Sequence, residues 1–120
     1  MFEKREIYRA IAELAYIVAK AHDGLKLEEK KAFFEIINQE LEFEAWSAES
    51  RFSILDRKNP TLEHGYNAAL YEIKKYKSHL SDELKDKTLK VVRKVADAYK
   101  GTSEVQAFII SRLESDLKRL

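Results

Sequence analysis

Three glycines and one proline are all that interrupt this 120-residue chain, and that scarcity constrains its fold more than any other feature. Glycine and proline are the residues that punctuate helices and turn the chain. Long stretches here have nowhere to break, and apolar residues recur through them at helical spacing. In the first stretch Ile7, Ala10, Ile11, Leu14, Ile17, Val18 and Ala21 follow i, i+3, i+4 order. Tyr8, Ala12, Ala15, Tyr16 and Ala19 widen that face until only Glu6, Arg9, Glu13 and Lys20 keep a polar strip. A helix apolar round most of its circumference belongs at the centre of a bundle, with other helices on every side. Its alanines let those neighbours come close.

A second helix is expected over about Glu28 to Leu41, burying Phe33, Ile36, Ile37 and Leu41. Residues 43–57 are less regular, and Phe43, Trp46, Phe52 and Leu55 predict a short helix that lids the core. Asn59-Pro60 has the chemistry of a helix start, with Asn as N-cap and Pro in the first turn, where its missing N–H costs nothing. The helix that follows buries Leu62, Tyr66, Ala69, Leu70, Ile73 and Leu80. Another opens at Ser81-Asp82-Glu83, its acids near the positive end of the helix dipole, with a core stripe of Leu84, Thr88, Val91, Val92, Val95 and Ala98. Gly101 ends it. Ser103 with Gln106 makes a capping box for a last helix, which is expected to bury Val105, Phe108, Ile109, Leu113 and Leu117. No segment patterns as strand. The expected fold is all-α, a compact bundle of about six or seven helices forming one domain over residues 1–120.

A chain of this length buries roughly two-thirds of its unfolded surface and needs neither metal nor disulfide to fold. It has no cysteine, which removes disulfides, thiolate catalysis and cysteine zinc sites and suits a reducing compartment. The N-terminal residues are charged from Glu3 onward, without the apolar core of a signal peptide. The longest continuous apolar run, Leu14 to Ala19, is far short of the ~20 residues of a membrane span. The expected setting is cytoplasmic. Net charge is +1, so no strong field draws the chain to nucleic acid or anionic lipid. Its halves differ: residues 1–56 hold 8 Lys/Arg against 12 Asp/Glu, and residues 57–120 hold 14 against 9.

The chain also repeats itself. Val18-Ala19-Lys20-Ala21, Gly24, Glu29 and Ala32-Phe33 recur as Val95-Ala96-Asp97-Ala98, Gly101, Glu104 and Ala107-Phe108, the second copy two residues shorter between its Gly and Glu. Two helical hairpins of similar plan would pack as a pseudo-symmetric pair, with residues 43–80 connecting them. The stretch LAYIVAKAHDGLKLEEKKAFFEII, an apolar helix followed by Ala-x-Asp-Gly and a glutamate-led helix, resembles the first half of the TerB-like family associated with tellurite resistance; VADAYKGTSEVQAFIISRL is similar to the second half. The resemblance implies an all-helical bundle with two related halves. It also implies a cytoplasmic protein linked to stress or tellurite resistance; some family members are suspected of binding metal through acidic residues, and others act as modules in larger complexes. Asp23, Gly24 and Glu29 sit where the family has its Asp-Gly and glutamate, and Glu28 adjoins them. The second copy carries Lys100 in place of an Asp, and Leu27 stands where a Ser or Thr cap is common.

Asp23, Glu28 and Glu29 could therefore present hard oxygens to a divalent cation, Ca²⁺ or Mg²⁺. The spacing is not that of an EF-hand, because Leu25 and Leu27 fall where alternate oxygen ligands belong. The simpler reading has Gly24 in the left-handed conformation that ends the first helix and the glutamates complementing the next helix's dipole. His22, His64 and His79 form no His-x-x-x-His pair. Ala32 to Ser50 contains no Lys or Arg, so Glu40, Glu42 and Glu44 beside Trp46 form an acidic edge with an apolar anchor of the kind partners dock on. The alternative is a solvated face with Trp46 in the core. Lys85, Lys87, Lys90, Arg93 and Lys94 invite a nucleic-acid reading, but Glu83 and Asp86 neutralise Lys87 and Lys90 at i, i+4. No glycine-rich phosphate loop, nucleophile elbow or Cys/His pair is present.

The leading expectation is a cytoplasmic helical module that binds a protein partner, with no required cofactor and a possible divalent-cation site. Two alternatives stay open. One is an enzyme whose site lies between the helical halves; the other is a nucleic-acid-binding helical domain.

Overall fold

The computed structural model describes residues 2–21, 27–41, 45–98 and 101–120, with backbone alone for 2–4, 27–29, 41 and 45–49. They form six α-helices: α1 (Phe2–Lys20), α2 (Leu27–Leu41), α3 (Ala45–Lys58), α4 (Leu62–Lys75), α5 (Asp82–Asp97) and α6 (Glu104–Lys118), with a 3₁₀ turn at Lys77–His79. Among the described residues there is no strand. The fold is all-α. Its radius of gyration is 12.8 Å, slightly inside the roughly 13.6 Å typical of a single domain this long.

The apolar breadth of α1 is used in full. Ile7, Ile11, Leu14, Ala15, Ile17 and Val18 have no exposed surface, and α1 packs against each of the other five helices. Where α1 meets α2 and α3, rings do the filling: Phe52 lies 5.2 Å from Tyr16, 4.8 Å from Phe33 and 4.9 Å from Phe34, centroid to centroid, within the range where edge-to-face pairs attract. The segment that looked irregular in sequence is thus a full helix. Phe52 and Leu55 are buried as expected; Phe43 lies outside the described residues.

The polar strip of α1 is tied to neighbouring helices at two points. Glu13 is only 4% exposed and accepts from Arg51 of α3 at 3.2 Å. Lys20 donates to Asn59 Oδ1 at 2.5 Å and to the Pro60 carbonyl at 2.6 Å, pinning the α3–α4 corner to the end of α1.

That corner departs from the sequence expectation. Asn59 does not cap α4; it ends α3, with its N–H bonded to the Leu55 carbonyl and φ of +50°, a left-handed conformation that asparagine tolerates. Thr61 is the cap, its Oγ1 accepting from the His64 N–H at 3.1 Å. Lys20 engages Asn59 Oδ1, the oxygen an N-cap would turn toward α4, and the cap falls to the next hydroxyl. Further along, α4 stops at Lys75, so Leu80 is buried from the segment after the 3₁₀ turn. Ser81 caps α5 as expected. Ala98 is exposed just past the end of α5, which closes that core stripe at Val95 and Ala96.

Gly65 lets α4 approach α1. It is buried inside α4, and a Cβ there would run into the Ile17 side chain, 2.9 Å from Cγ1. Overpacking a core costs about 1–3 kcal/mol, against at most ~1 kcal/mol regained from alanine's helix propensity. Gly65→Ala is therefore expected to lose about 1 kcal/mol, or roughly 4 °C in Tm, in paired urea and thermal melts; a variant that melts higher would show that Ile17 has room to turn aside.

Candidate docking surface

The last helix carries the largest difference between pattern and structure. Val105 and Phe108 are expected in the core, yet they are 50% and 68% exposed. The buried face of α6 is Gln106, Ile109, Ile110, Leu113 and Leu117, one step round the helix. Gln106 explains the rotation. Its N–H donates to Ser103 Oγ, and its Oε1 accepts from the Ser103 N–H at 2.9 Å, completing the capping box. Its Nε2 then donates to the Val18 carbonyl at 2.8 Å, satisfying an acceptor in the last turn of α1, where helices leave carbonyls unpaired. A buried amide left without partners costs kilocalories, so the side that bears Gln106 must face α1. Val105 and Phe108 are turned outward as a result. The capping box is legible in sequence; the second task of its glutamine is not.

Beside those two residues a groove of about 230 Å³ opens between α4 and α6. Leu62, Tyr66 and Ile109 line it with them, and Glu63 and Arg112 stand at its rim. The rim is held in place. Arg112 Nη1 donates to Glu63 Oε2 at 2.9 Å and Nη2 to Glu63 Oε1 at 3.3 Å, with a third bond to Asn67 Oδ1 at 3.2 Å. The same guanidinium lies 4.2 Å from the Tyr66 ring centroid, close enough for a cation–π attraction. Tyr66 donates its hydroxyl to Asp116 Oδ2 at 2.5 Å. Burial first, and the Asp116 carboxylate second, push the Tyr66 phenol well above its ordinary value. The phenol stays protonated and keeps donating to Asp116. The Arg112 and Asn67 bonds hold Glu63 below the usual carboxylate range. Chemically this is a preformed apolar slot with fixed polar edges, suited to gripping a side chain.

A second cleft of about 220 Å³ lies over α1, α3 and α4, lined by Glu6, Arg9, Ala10, Glu13, Arg51 and Glu72. Its charges are largely matched in place, Arg9 to Glu6 at 3.1 Å and Arg51 to Glu13 at 3.2 Å.

The residues singled out in sequence are scattered. Asp23 and His22 lie outside the described residues, as do the side chains of Glu28 and Glu29, whose backbone forms the first turn of α2. Glu42 and Glu44 lie outside them too, and Trp46 is placed on α3 by its backbone only. His64 and His79 are exposed on separate elements. Among the described residues no three His, Asp or Glu side chains gather as a metal set, and no helix is long and apolar enough to cross a membrane. Glu40 is the one acid of the Glu40–Trp46 edge whose surroundings are described. It is 9% exposed and bonds inward, to Lys94 at 2.6 Å and Lys90 at 3.4 Å, joining α2 to α5. The basic run on α5 is engaged in the same way: Arg93 pairs with Glu114 at 2.6 Å, and Lys85 reaches the Leu120 carbonyl oxygen at 3.2 Å.

Comparison with family models, curated proteins and solved structures finds no match to this chain.

The Glu40 pair has a measurable signature. The Lys94 hydrogen bond, helped by Lys90, outweighs burial and holds the carboxyl below the ordinary 4.5. A carboxyl with a lowered folded pKa stabilises fully above its unfolded value, and that contribution drains away as pH falls through the folded one. Glu40→Gln should lose about 1–2 kcal/mol at pH 7. The gap between variant and parent should shrink steadily below pH 4.5, read from urea unfolding between pH 3 and 7.

Proposed function

We propose that this chain is a helical protein-docking module and that the α4–α6 groove is its docking face. Supporting this reading above all is Phe108, a large ring left 68% exposed beside a preformed apolar slot. Scattered exposed apolar residues are ordinary; an exposed phenylalanine adjoining an exposed valine, over a groove whose rim is already locked by three hydrogen bonds, is the arrangement of an interface centre. Tyr71, a third large exposed side chain, lies on α4 about 140° round the helix from Tyr66 and outside the groove, so Tyr71→Ser serves as a control. Covering Phe108 and Val105 would gain roughly 2–4 kcal/mol from apolar area alone, enough to anchor a reversible contact once the rest of a partner surface is added. The Tyr66 proton is committed to Asp116, which favours binding over acid–base chemistry at this site. The TerB-like resemblance, whose family includes modules of larger complexes, points the same way.

The test is affinity capture from the native cell lysate with the parent chain, Phe108→Asp, Tyr71→Ser and Glu42→Lys. Phe108→Asp is expected to melt within about 0.5 kcal/mol of the parent, as an exposed position allows, while losing the captured protein. Capture unchanged by Phe108→Asp would overturn this face. Capture lost only with Glu42→Lys would move the docking site to the Glu40–Trp46 edge.

A further inference from the structure

Matched charges are not the same as satisfied hydrogen bonds, and the cleft over α1, α3 and α4 has the first without the second. Glu13 lines it and is 4% exposed, yet its carboxylate accepts a single bond, from Arg51 Nη2 to Oε1 at 3.2 Å. An ionised carboxylate has about four acceptor sites, and among the described residues nothing donates to Oε2. The arginines are equally underused. Arg51 gives one N–H to Glu13 and Arg9 gives one to Glu6 at 3.1 Å, although a guanidinium carries about five. Glu72, half-buried on α4, lines the same cleft, and among the described residues its carboxylate has no hydrogen bond or ion pair. A half-connected polar network is less stable than a complete one.

We infer that this cleft binds a small zwitterion, a free α-amino acid with little or no apolar side chain. Its wall sets three carboxylates beside two guanidiniums, so unmet acceptors and unmet donors face one cavity. An ammonium group has three N–H donors to offer Glu13 Oε2 and Glu72. A carboxylate takes charge-assisted bonds from the free N–H groups of Arg9 and Arg51. A metal ion fits the wall less well, because no three acids among the described residues gather closely enough to hold one, and the guanidiniums would repel it. A plain cation or a plain anion meets only half of the set. Size and polarity narrow the class further. The cleft's volume of about 220 Å³ falls below the roughly 300 Å³ at which pockets for drug-sized ligands begin. Ala10 is the one apolar residue in the wall among those described, so a hydrocarbon side chain finds little to pack on. The cleft shares no lining residue with the α4–α6 groove, and the inference stands or falls apart from the docking reading.

The probe is glycine, titrated at constant ionic strength into the full-length ¹⁵N-labelled protein to about 50 mM, well past a Kd of ~1 mM. The expected result is saturable shifts centred on Arg9, Ala10, Glu13, Arg51 and Glu72. Methylammonium and acetate, the two halves of the probe, should each bind roughly tenfold more weakly or worse, the loss of one charge-assisted contact. Glu72→Gln and Arg9→Gln, at part-exposed positions, should keep a melting curve close to the parent's and weaken glycine by a similar factor. L-Serine should match glycine, and L-leucine should bind more weakly than either. No saturable shift with glycine would mean that water alone completes the network and would overturn the inference, leaving the groove untouched. Methylammonium or acetate binding as tightly as glycine would reassign the cleft to a plain ion and overturn it too. So would glycine affinity unchanged in both variants. Leucine binding more tightly than serine would overturn the small, polar class.

Discussion

Everything in this fold is arranged around a helix that has no face to give to water. Because α1 is apolar on nearly all sides, each of the other five helices has to contribute a face to it, and those helices can be simply amphipathic because α1 is not. The close approach at Gly65 is part of the same constraint. With no Cβ at Gly65, the Ile17 side chain of α1 can lie directly against the α4 backbone.

Around that apolar centre, a few polar groups decide rotation and register. Hydrophobic burial is non-directional and would tolerate α6 turned by one residue. The Gln106 amide would not, because only one rotation reaches the Val18 carbonyl while keeping the cap on Ser103. Glu13 with Arg51, and Lys20 with Asn59 and Pro60, do similar work for α3 and the α3–α4 corner. In each case a polar residue on or against α1 converts sliding apolar contact into a defined pose. The exposed stripe of α6 is the by-product of one such choice, and the functional reading grows out of it.

Most of the fold was legible in the sequence because it is written in spacing. The breadth of α1, the stripe of α5 and the Ser81 and Ser103 caps are local patterns whose consequences are local. What could not be read depends on residues far apart. The exposure of Val105 and Phe108 follows from Gln106 bonding a residue 88 positions earlier, and no periodicity encodes that. Ile109 and Phe108 look equally apolar on paper; only the partner of Gln106 separates them. The cap of α4 was misplaced by two residues because Asn59 suits two roles, ending one helix or opening the next, and Lys20, 39 positions away, holds it in the first. The candidate docking groove was invisible for the same reason, since Glu63 and Arg112 are 49 residues apart.

The hub position of α1 also has a consequence during synthesis. It is made before every helix that will cover it, and α6, which meets its last turn through Gln106, is more than 80 residues downstream. At roughly 5–20 residues per second, the most oil-like segment of the chain waits about 4 to 17 s for its final neighbour. A nascent chain built in this order presents its stickiest surface first and completes its cover last.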